Sequence, residues 1–228
     1  QRQMCIRDSH SDVARELLDK AREMHVLVQR VPPEKIQRIT RKQTQGVLAI
    51  LSAVTYHRLD HLVPELYEAG LMPFVLILDG ITDVRNFGAI ARTAECAGVD
   101  AIVIPQHGSV SVGGDAVKTS AGALLHIPVC RERSVRGAVQ FLKDNGYRVV
   151  AVSEKADINY TEANFTDPVA LVMGAEDVGI SPDVYELCDL RVGIPMFGKI
   201  GSLNVSVAAG VLMYEVVRQR LAANLEVI

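Results

Sequence analysis

The sequence contains no tryptophan, and only 5% of its 228 residues are aromatic. A protein that stacks the bases of a single strand on interleaved aromatic side chains needs more rings than this, so that class is disfavoured. Basic residues are not in excess either, because the formal net charge is −3. The chain is therefore not a uniformly basic nucleic-acid coat, although a local basic patch is compatible with this balance.

Cysteine is scarce, and its spacing excludes the common metal motifs. There is no Cys-x-x-Cys pair, and no cysteine stands beside a histidine at zinc-finger spacing. Widely separated cysteines in a chain of this length are typical of free thiols in a reducing compartment. The sequence therefore predicts a cytoplasmic protein that needs no metal, with four unpaired cysteines at Cys5, Cys96, Cys130 and Cys188.

Long hydrophobic runs are also missing. The longest apolar stretch covers residues 205–217, and Ser206 and Glu215 interrupt it. A membrane-spanning helix needs about 20 consecutive apolar residues, so this stretch predicts a buried core helix and no membrane partner.

The common nucleotide and hydrolase motifs are absent. No Gly-x-Gly-x-x-Gly follows the first strand, and residues 174–179 lack the Lys-Ser/Thr of a phosphate-binding loop. No Gly-x-Ser-x-Gly or His-Glu-x-x-His sequence occurs. These absences disfavour a dehydrogenase, a P-loop ATPase, a serine hydrolase and a zinc protease.

The front of the chain predicts a small α/β unit over residues 10–70, truncated at its start. Residues 1–9 fit nothing that follows, and we expect them to be a non-native leader and leave them out of the fold. Apolar periodicity then predicts helices from Ser11 and over residues 59–69, and strands over residues 25–31 and 46–54.

Residues 71–228 predict a larger α/β domain with a parallel sheet covered on both faces. Short apolar runs predict strands at residues 74–78, 101–104, 126–129, 147–152, 169–173 and 190–194. Helical patterns fall between most of them, notably at residues 86–97, 134–145 and 202–220.

The positive charge is concentrated in the front unit. Residues 1–70 hold 11 Lys and Arg against 9 Asp and Glu, whereas residues 71–228 hold 13 against 18. A run of four cations without an acid is usually a solvated face, but it can also contact RNA phosphates. This run consists of Lys35, Arg38, Arg41 and Lys42.

Three segments follow predicted strand ends, where ligands gather in an open parallel sheet. In residues 83–92, Asn86 can cap a helix and Gly88 allows a close backbone approach, while Arg92 is either functional or an ordinary surface arginine. Residues 171–179 place an acid between glycines, either as a turn cap or at a ligand. Residues 194–206 form a glycine-rich loop before an apolar helix, with free backbone groups that suit a small polar ligand.

The motifs NFGAIAR, LVMGAE and IPMFGKIGSLNVSVA resemble, in order and spacing, the three signature motifs of the SpoU/TrmH family of RNA ribose 2′-O-methyltransferases, within the SPOUT class. The resemblance spans residues 71–220. The front unit, with RKQTQGVLAI, is similar to the substrate-binding domain of the 23S rRNA (guanosine-2′-O)-methyltransferase branch.

This resemblance implies a SPOUT-type α/β fold with a C-terminal trefoil knot, S-adenosylmethionine bound in the knot, and a homodimer that acts on RNA. It implies a catalytic set of Asn86, Arg92, Glu176, Ser202 and Asn204. It implies cofactor contacts at Met173, Gly174, Ile194, Met196, Gly198 and Leu203.

The implied reaction is methyl transfer to a ribose 2′-hydroxyl, most simply of a guanosine in 23S rRNA. Arg92 would act as the proton acceptor with the help of an RNA phosphate, or as a charged clamp on the developing alkoxide. Three alternatives stay open: the same chemistry on tRNA, an RNA-binding assembly protein without catalysis, and a metabolic enzyme that acts on free nucleosides.

Overall fold

A computed structural model describes residues 2–6, 12–23, 27–40, 44, 47–51, 54–156 and 158–223. The chain divides into two compact units, Gln1–Ala53 and Val54–Ile228. The second unit contains all three of the segments that resemble signature motifs.

The first unit is a three-stranded sheet with two helices. Its strand order is β2-β1-β3, with β1 parallel to β2 and antiparallel to β3. Val31 and Ile36 are buried and pack together, and the partly buried Leu48 packs against them. The elements are β1 (Arg2–Ile6), α1 (Asp12–Glu23), β2 (Leu27–Arg30), α2 (Pro33–Ile39) and β3 (Val47–Leu51).

Strand β1 changes how the front of the chain is interpreted. The sequence pattern excludes residues 1–9 from the fold, yet Arg2–Ile6 forms the central strand of this sheet. Alternation over so few residues is a weak signal, and two neighbouring strands define β1 more clearly than its own composition does. The origin of residues 1–9 stays a prediction.

The second unit contains a sheet whose strands pair in parallel, as predicted, and it has eight strands where the sequence predicts six, in the order β4-β7-β6-β5-β10-β8-β11-β9. Its first half contains β4 (Tyr56–His57), α3 (Leu59–Glu68), β5 (Phe74–Asp79), α4 (Val84–Cys96), β6 (Ala101–Pro105), α5 (Gly114–Thr119), β7 (Val129–Glu132) and α6 (Val135–Asp144). Its second half contains β8 (Arg148–Val152), β9 (Ile158–Asn159), β10 (Val169–Gly174), α7 (Pro182–Tyr185), β11 (Leu190–Gly193) and α8 (Val205–Ala222).

Both faces of this sheet are covered, which explains the continuous apolar runs. Successive side chains of a strand point to opposite faces, and β5 shows this directly. Phe74, Leu76 and Leu78 pack in one core cluster with α4 and α8. Val75 and Ile77 pack in the other cluster with α3 and α6.

Several boundaries differ from the sequence prediction, and α8 begins at Val205 rather than at Ser202 because Asn204 caps it. Helix α3 lies in the second unit, because Leu59 and Val63 pack against the face of the large sheet, so the division falls after residue 53 rather than after residue 70. Strand β7 begins at Val129, because a 3₁₀ turn occupies Ala123–Leu125 and ends the preceding helical segment. Helix α4 begins two residues earlier than predicted.

Strand β10 lies between β5 and β8, so the chain inserts a late strand between two earlier ones. The trefoil knot implied by the resemblance stays a prediction. Among the described residues, no helix is both long enough and apolar enough to span a membrane.

Candidate active site

The carboxyl ends of β8, β10 and β11 surround an open pocket of about 580 Å³. Parallel strands present their carboxyl ends at one edge of a sheet, and ligands of open α/β sheets bind there. The loop before α8 closes another side of the pocket. The lining consists of residues 152–155, 173–180, 182, 185, 194, 196, 201–203, 205 and 208.

The turn after β10 folds back on itself over Gly174. A Cβ atom at Gly174 would lie 2.1 Å from the carbonyl carbon of Gly179 and 2.2 Å from the nitrogen of Ile180. Gly179 adopts a φ of +72° and its N–H donates to the carbonyl of Ala175 at 2.9 Å. The sequence suggests that a glycine here leaves room for a ligand. In the structure, Gly174 instead leaves room for the backbone of Gly179 and Ile180 in the same loop.

Asn204 is the centre of a hydrogen-bonded cluster that joins three elements. Its Nδ2 donates to Oδ1 of Asn86 on α4 at 3.0 Å and also to Oε1 of Glu176 in the β10–α7 loop. Its Oδ1 accepts the backbone N–H of Ser206 at 3.0 Å, which caps α8. Glu176 Oε1 also accepts the N–H of Val205 at 3.1 Å. Three of the five predicted catalytic residues therefore meet, although 118 positions separate Asn86 from Asn204.

Helix α4 carries Arg92 on its exposed side. Within the described part of the chain, Arg92 has no hydrogen bond or ion pair, so its guanidinium is free to meet a ligand. The prediction that Asn86 caps this helix is wrong. The cap is Asp83, whose Oδ1 accepts the N–H groups of Arg85 and Asn86 at 2.9 and 2.8 Å. The predicted close approach does occur, since a Cβ at Gly88 would lie 2.2 Å from Oγ1 of Thr119 on α5.

The other predicted residues fall into two groups. Seven line the pocket: Met173, Gly174, Glu176, Ile194, Met196, Ser202 and Leu203. Four do not belong to this lining: Asn86, Arg92, Gly198 and Asn204. Lys35 and Arg38 are exposed on α2 of the first unit, whereas Arg41 and Lys42 lie outside the described residues.

The pocket also contains residues that the sequence interpretation missed. Ser153, Glu154 and Lys155 follow β8 and line it, and the hydroxyl of Tyr185 donates to the carbonyl of Lys155 at 2.9 Å. The strand itself is predicted, so the rule that ligands gather at carboxyl ends could have found this loop. The loop contains no glycine and no recognised motif, so its sequence alone does not mark it as a binding segment.

Two cysteines, Cys130 and Cys188, are buried in the core of the second unit. Burial raises the pKa of Cys130 to about 12 and that of Cys188 to about 11, so both thiols are protonated at neutral pH. Among the described residues, no group of three or more His, Cys, Asp or Glu side chains could hold a metal ion. The side chains that line the pocket offer carboxylates, hydroxyls and the ammonium group of Lys155.

Comparison with known proteins agrees with this architecture. Residues 73–214 match the SpoU rRNA methylase family, and residues 2–57 match the family described as RNA 2′-O ribose methyltransferase substrate binding. The chain is 40% identical over 205 residues to a candidate TrmH family tRNA/rRNA methyltransferase of Staphylococcus saprophyticus, covering 90% of this chain and 82% of the relative.

Two solved structures extend the likeness. The SpoU methyltransferase AviRb from Streptomyces viridochromogenes, crystallised with the cofactor AdoMet, is 25% identical and covers 96% of this chain and 83% of its own, with a TM-score of 0.67. The TrmH/SpoU tRNA modifying enzyme of A. aeolicus is 27% identical and covers 72% and 85%, with a TM-score of 0.60. We conclude that the chain belongs to the SpoU/TrmH family of RNA methyltransferases.

Proposed function

We propose that this protein transfers a methyl group from S-adenosylmethionine to a ribose 2′-hydroxyl of RNA, and that the target is a guanosine in 23S rRNA. One observation carries the proposal. The Asn86–Glu176–Asn204 cluster connects the wall of the pocket to α4, the helix on which Arg92 is exposed. A cofactor site and a candidate catalytic side chain are thereby held by one set of hydrogen bonds.

The residues at the pocket fit S-adenosylmethionine. A volume of about 580 Å³ lies within the range of small-molecule sites. Met173, Ile194 and Leu203 offer apolar surface for an adenine ring, and the surrounding loops offer backbone donors and acceptors for its edge. AviRb, which covers most of this chain, was crystallised with the same cofactor. The bound cofactor supplies an electrophilic methyl group on a sulfonium.

Arg92 is the residue to which we assign the hydroxyl. The 2′-oxygen must be held in line with the methyl group and must lose its proton, and positioning alone contributes several kcal/mol. An exposed guanidinium without a partner among the described residues can hold an RNA phosphate through two parallel donors. It then either passes one of its own protons to that phosphate and accepts the hydroxyl proton as a neutral guanidine, or stabilises the developing alkoxide as a cation.

We assign positioning roles to the polar cluster. Asn204 uses both protons of its amide within the cluster, so it orients Asn86 and Glu176 rather than offering a free donor. Ser202 lines the pocket directly, and we assign it to the cofactor or to the ribose.

The distribution of unpaired cations supports an RNA substrate. Of the 14 Lys and Arg side chains in residues 54–223, eight have partners within the described residues: Arg58, Arg131, Arg136, Lys143, Arg148, Arg191, Arg218 and Arg220. The other six are exposed and have none there: Arg85, Arg92, Lys118, Arg133, Lys155 and Lys199. Arg85, Arg133, Lys155 and Lys199 lie in the segments that follow β5, β7, β8 and β11, at the carboxyl edge of the sheet. Phosphates that flank the target nucleotide would lie at this edge.

The first unit supports ribosomal RNA over tRNA. Residues 2–57 match an RNA 2′-O ribose methyltransferase substrate-binding family, whereas the tRNA modifying enzyme of A. aeolicus matches only 72% of this chain. We therefore propose residues 10–70 as an RNA substrate-binding region and residues 71–228 as the methyltransferase region, with the structural division after residue 53. The protein would act in the cytoplasm.

The decisive experiment is methylation of deproteinised 23S rRNA and of total tRNA from a strain that lacks the gene, with S-adenosylmethionine as donor. We expect one new 2′-O-methylguanosine in 23S rRNA and none in tRNA. A product in tRNA would favour the tRNA alternative, and activity on free nucleosides would favour the metabolic enzyme. Calorimetry that detects no S-adenosylmethionine binding would favour the assembly protein.

The role of Arg92 is tested by single-turnover methylation with saturating RNA and cofactor. Arg92→Ala should lose most of the rate and keep its cofactor affinity, because the proposed cofactor contacts lie in other segments. Arg92→Lys should recover little, since an ammonium lacks the planar fork of donors. Arg85 is a matched control, seven residues earlier on the same exposed side of α4. Arg85→Ala should react within a few-fold of wild type at saturating RNA, and if Arg92→Ala does so too, Arg92 is only a surface cation.

A further inference from the structure

Asp79 is a carboxylate beside the pocket that no motif singles out. It is the last residue of β5, it is half-buried, and it does not line the pocket. Its Oδ2 accepts the backbone N–H of Ser181 at 2.8 Å and also the hydroxyl of Ser181. Ser181 lies 102 positions later, immediately before α7. One oxygen of Asp79 therefore ties the end of β5 to the end of the loop that follows β10.

That loop forms one wall of the pocket. Residues 175–180 all belong to the lining, and the bridge between Ala175 and Gly179 closes the loop into a tight turn. The loop is held at two further places. Glu176 accepts hydrogen bonds from Asn204 and from the N–H of Val205, and Asp79 accepts from Ser181 at the end of the loop.

These contacts and the chain segments between them form a closed ring around the site. From Asp79 the chain passes through the turn at residues 80–83 into α4, whose Asn86 meets Asn204. Asn204 meets Glu176 in the loop, and the loop returns to Asp79 through Ser181. The pocket wall and the helix that bears Arg92 are thus placed relative to each other by the Asn86–Asn204–Glu176 contacts, which lie within the sequence motifs, and by the Asp79–Ser181 contact, which does not.

We infer that Asp79 is a positioning residue for the cofactor pocket, which acts by fixing the loop of residues 175–181 through Ser181; this inference rests on the proposed function. Without the carboxylate, the half-buried N–H of Ser181 loses its acceptor and the end of the loop is released. The contact between Glu176 and Asn204 remains, so α4 and Arg92 keep their place. The deficit should therefore fall on cofactor affinity and not on the rate of methyl transfer.

The first test is calorimetric titration of S-adenosylmethionine into the full chain, followed by single-turnover methylation at saturating cofactor. Asp79→Ala should weaken binding about tenfold or more and leave the saturated rate within a few-fold of wild type. Ser181→Ala removes only the hydroxyl contact and should weaken binding less. The double variant should match Asp79→Ala alone, because both substitutions break the same contact. Asp79→Asn retains an acceptor oxygen and should restore most of the affinity.

Asp100, which immediately precedes β6, is a matched control because its carboxylate contacts the opposite end of β5. Its Oδ2 accepts the N–H of Phe74, the first residue of β5, at 2.6 Å. Asp100→Ala should lower the melting temperature and leave cofactor affinity unchanged. If Asp79→Ala behaves in the same way, Asp79 only stabilises the fold and the inference is wrong.

Hydrogen exchange separates this inference from the proposed function, because it needs no ligand. In the ligand-free protein, Asp79→Ala should accelerate exchange of the Gly179 amide, which donates to Ala175, and Asp100→Ala should not. Wild type that binds no S-adenosylmethionine would contradict the proposed function, and the positioning role would then be decided by this exchange. Unchanged exchange at Gly179 in Asp79→Ala would overturn the positioning role whatever the ligand.

Discussion

At the scale of the residue, Gly174 shows how tightly the site is built. We expect Gly174→Ala to destabilise the protein by about 1–3 kcal/mol, because the added methyl group meets backbone atoms of Gly179 and Ile180 that cannot rotate away. It should also weaken cofactor binding, since the displaced loop is a wall of the pocket. Urea unfolding monitored by circular dichroism measures the first effect, and calorimetry measures the second.

Gly198 provides the control for this substitution. It lies in the loop before α8, and a Cβ atom added there would have no described neighbour within 4 Å. Gly198→Ala should therefore leave stability within about 0.5 kcal/mol of wild type. Equal stability of the Gly174 and Gly198 variants would show that the β10 turn relaxes easily.

Individual site residues were predictable only where a motif marks them. Spacing cannot show that Asn86 and Asn204 touch, because 118 positions separate them and the fold alone brings them together. Their assignment depended on the family resemblance. Asp79 was missed for the opposite reason: an Asp-Gly pair after a strand is typical of a turn, and nothing local indicates a partner as distant as Ser181.

At the scale of the element, α8 runs from the carboxyl ends of the sheet strands to their amino ends. Asn204 caps its start at the pocket, and the buried Arg220 near its end donates to backbone carbonyls at those amino ends. The acceptors are the carbonyl oxygens of Met72, Pro73, Phe165 and Asp167, at 2.6, 3.1, 3.4 and 3.2 Å. Burial lowers the pKa of this guanidinium, which nevertheless remains charged at neutral pH.

Arg220→Met should therefore lower the free energy of unfolding by about 2–3 kcal/mol, because a side chain of similar length leaves buried carbonyls without their donor. Chemical denaturation with an unchanged m-value is the measurement. Arg148→Met is the control, since the ion pair of Arg148 with Asp167 is partly exposed and should contribute no more than about 1 kcal/mol. Similar losses in both variants would contradict a special role for Arg220.

Elements with strong apolar periodicity were predictable and their ends were not. The continuous apolar run from Phe74 to Leu78 predicts a strand covered on both faces. In the structure each of these residues is buried between two helical layers. The two-residue strands β4 and β9 are too short to carry a pattern, so they are defined only by their neighbours in the sheet.

At the scale of the whole molecule, α8 also exposes an apolar stripe. Val207, Tyr214 and Leu221 recur every seven residues and are 51%, 50% and 61% exposed. Val205, Leu212 and Val216 on the same helix are instead buried against the unit's own core. A stripe of this spacing suits a helical partner, and we propose a second copy of the chain.

Replacing Val207 and Tyr214 with glutamate should convert the proposed homodimer to a monomer, because two buried charges at an apolar interface are not compensated. Light scattering at micromolar concentration gives the mass directly. Leu125→Glu is the control, since Leu125 is an apolar side chain with similar exposure, 62%, outside α8. Wild type that scatters as a monomer would refute the dimer.

The basic run of the first unit should contribute to RNA affinity through phosphate contacts. Changing Lys35, Arg38, Arg41 and Lys42 to glutamine should weaken RNA binding and reduce its salt dependence, with the rate at saturating RNA unchanged. Filter binding over a range of salt concentrations measures both effects. Lys20 and Arg22 on α1 are suitable control sites because they pair with Glu16 and Asp19. An equal effect of both sets would indicate a general charge effect.

The position of β10 has a consequence for synthesis of the chain. β5 is complete at residue 79, but the strand that pairs with its second edge ends at residue 174. At about 5–20 residues per second, a ribosome needs about 5–20 seconds to make the roughly 95 residues between them. During that time one edge of a strand that is apolar from Phe74 to Leu78 has no partner, and unpaired edges invite association with other chains. A lower growth temperature and holdase chaperones should therefore raise the soluble yield of this protein more than changes at its surface.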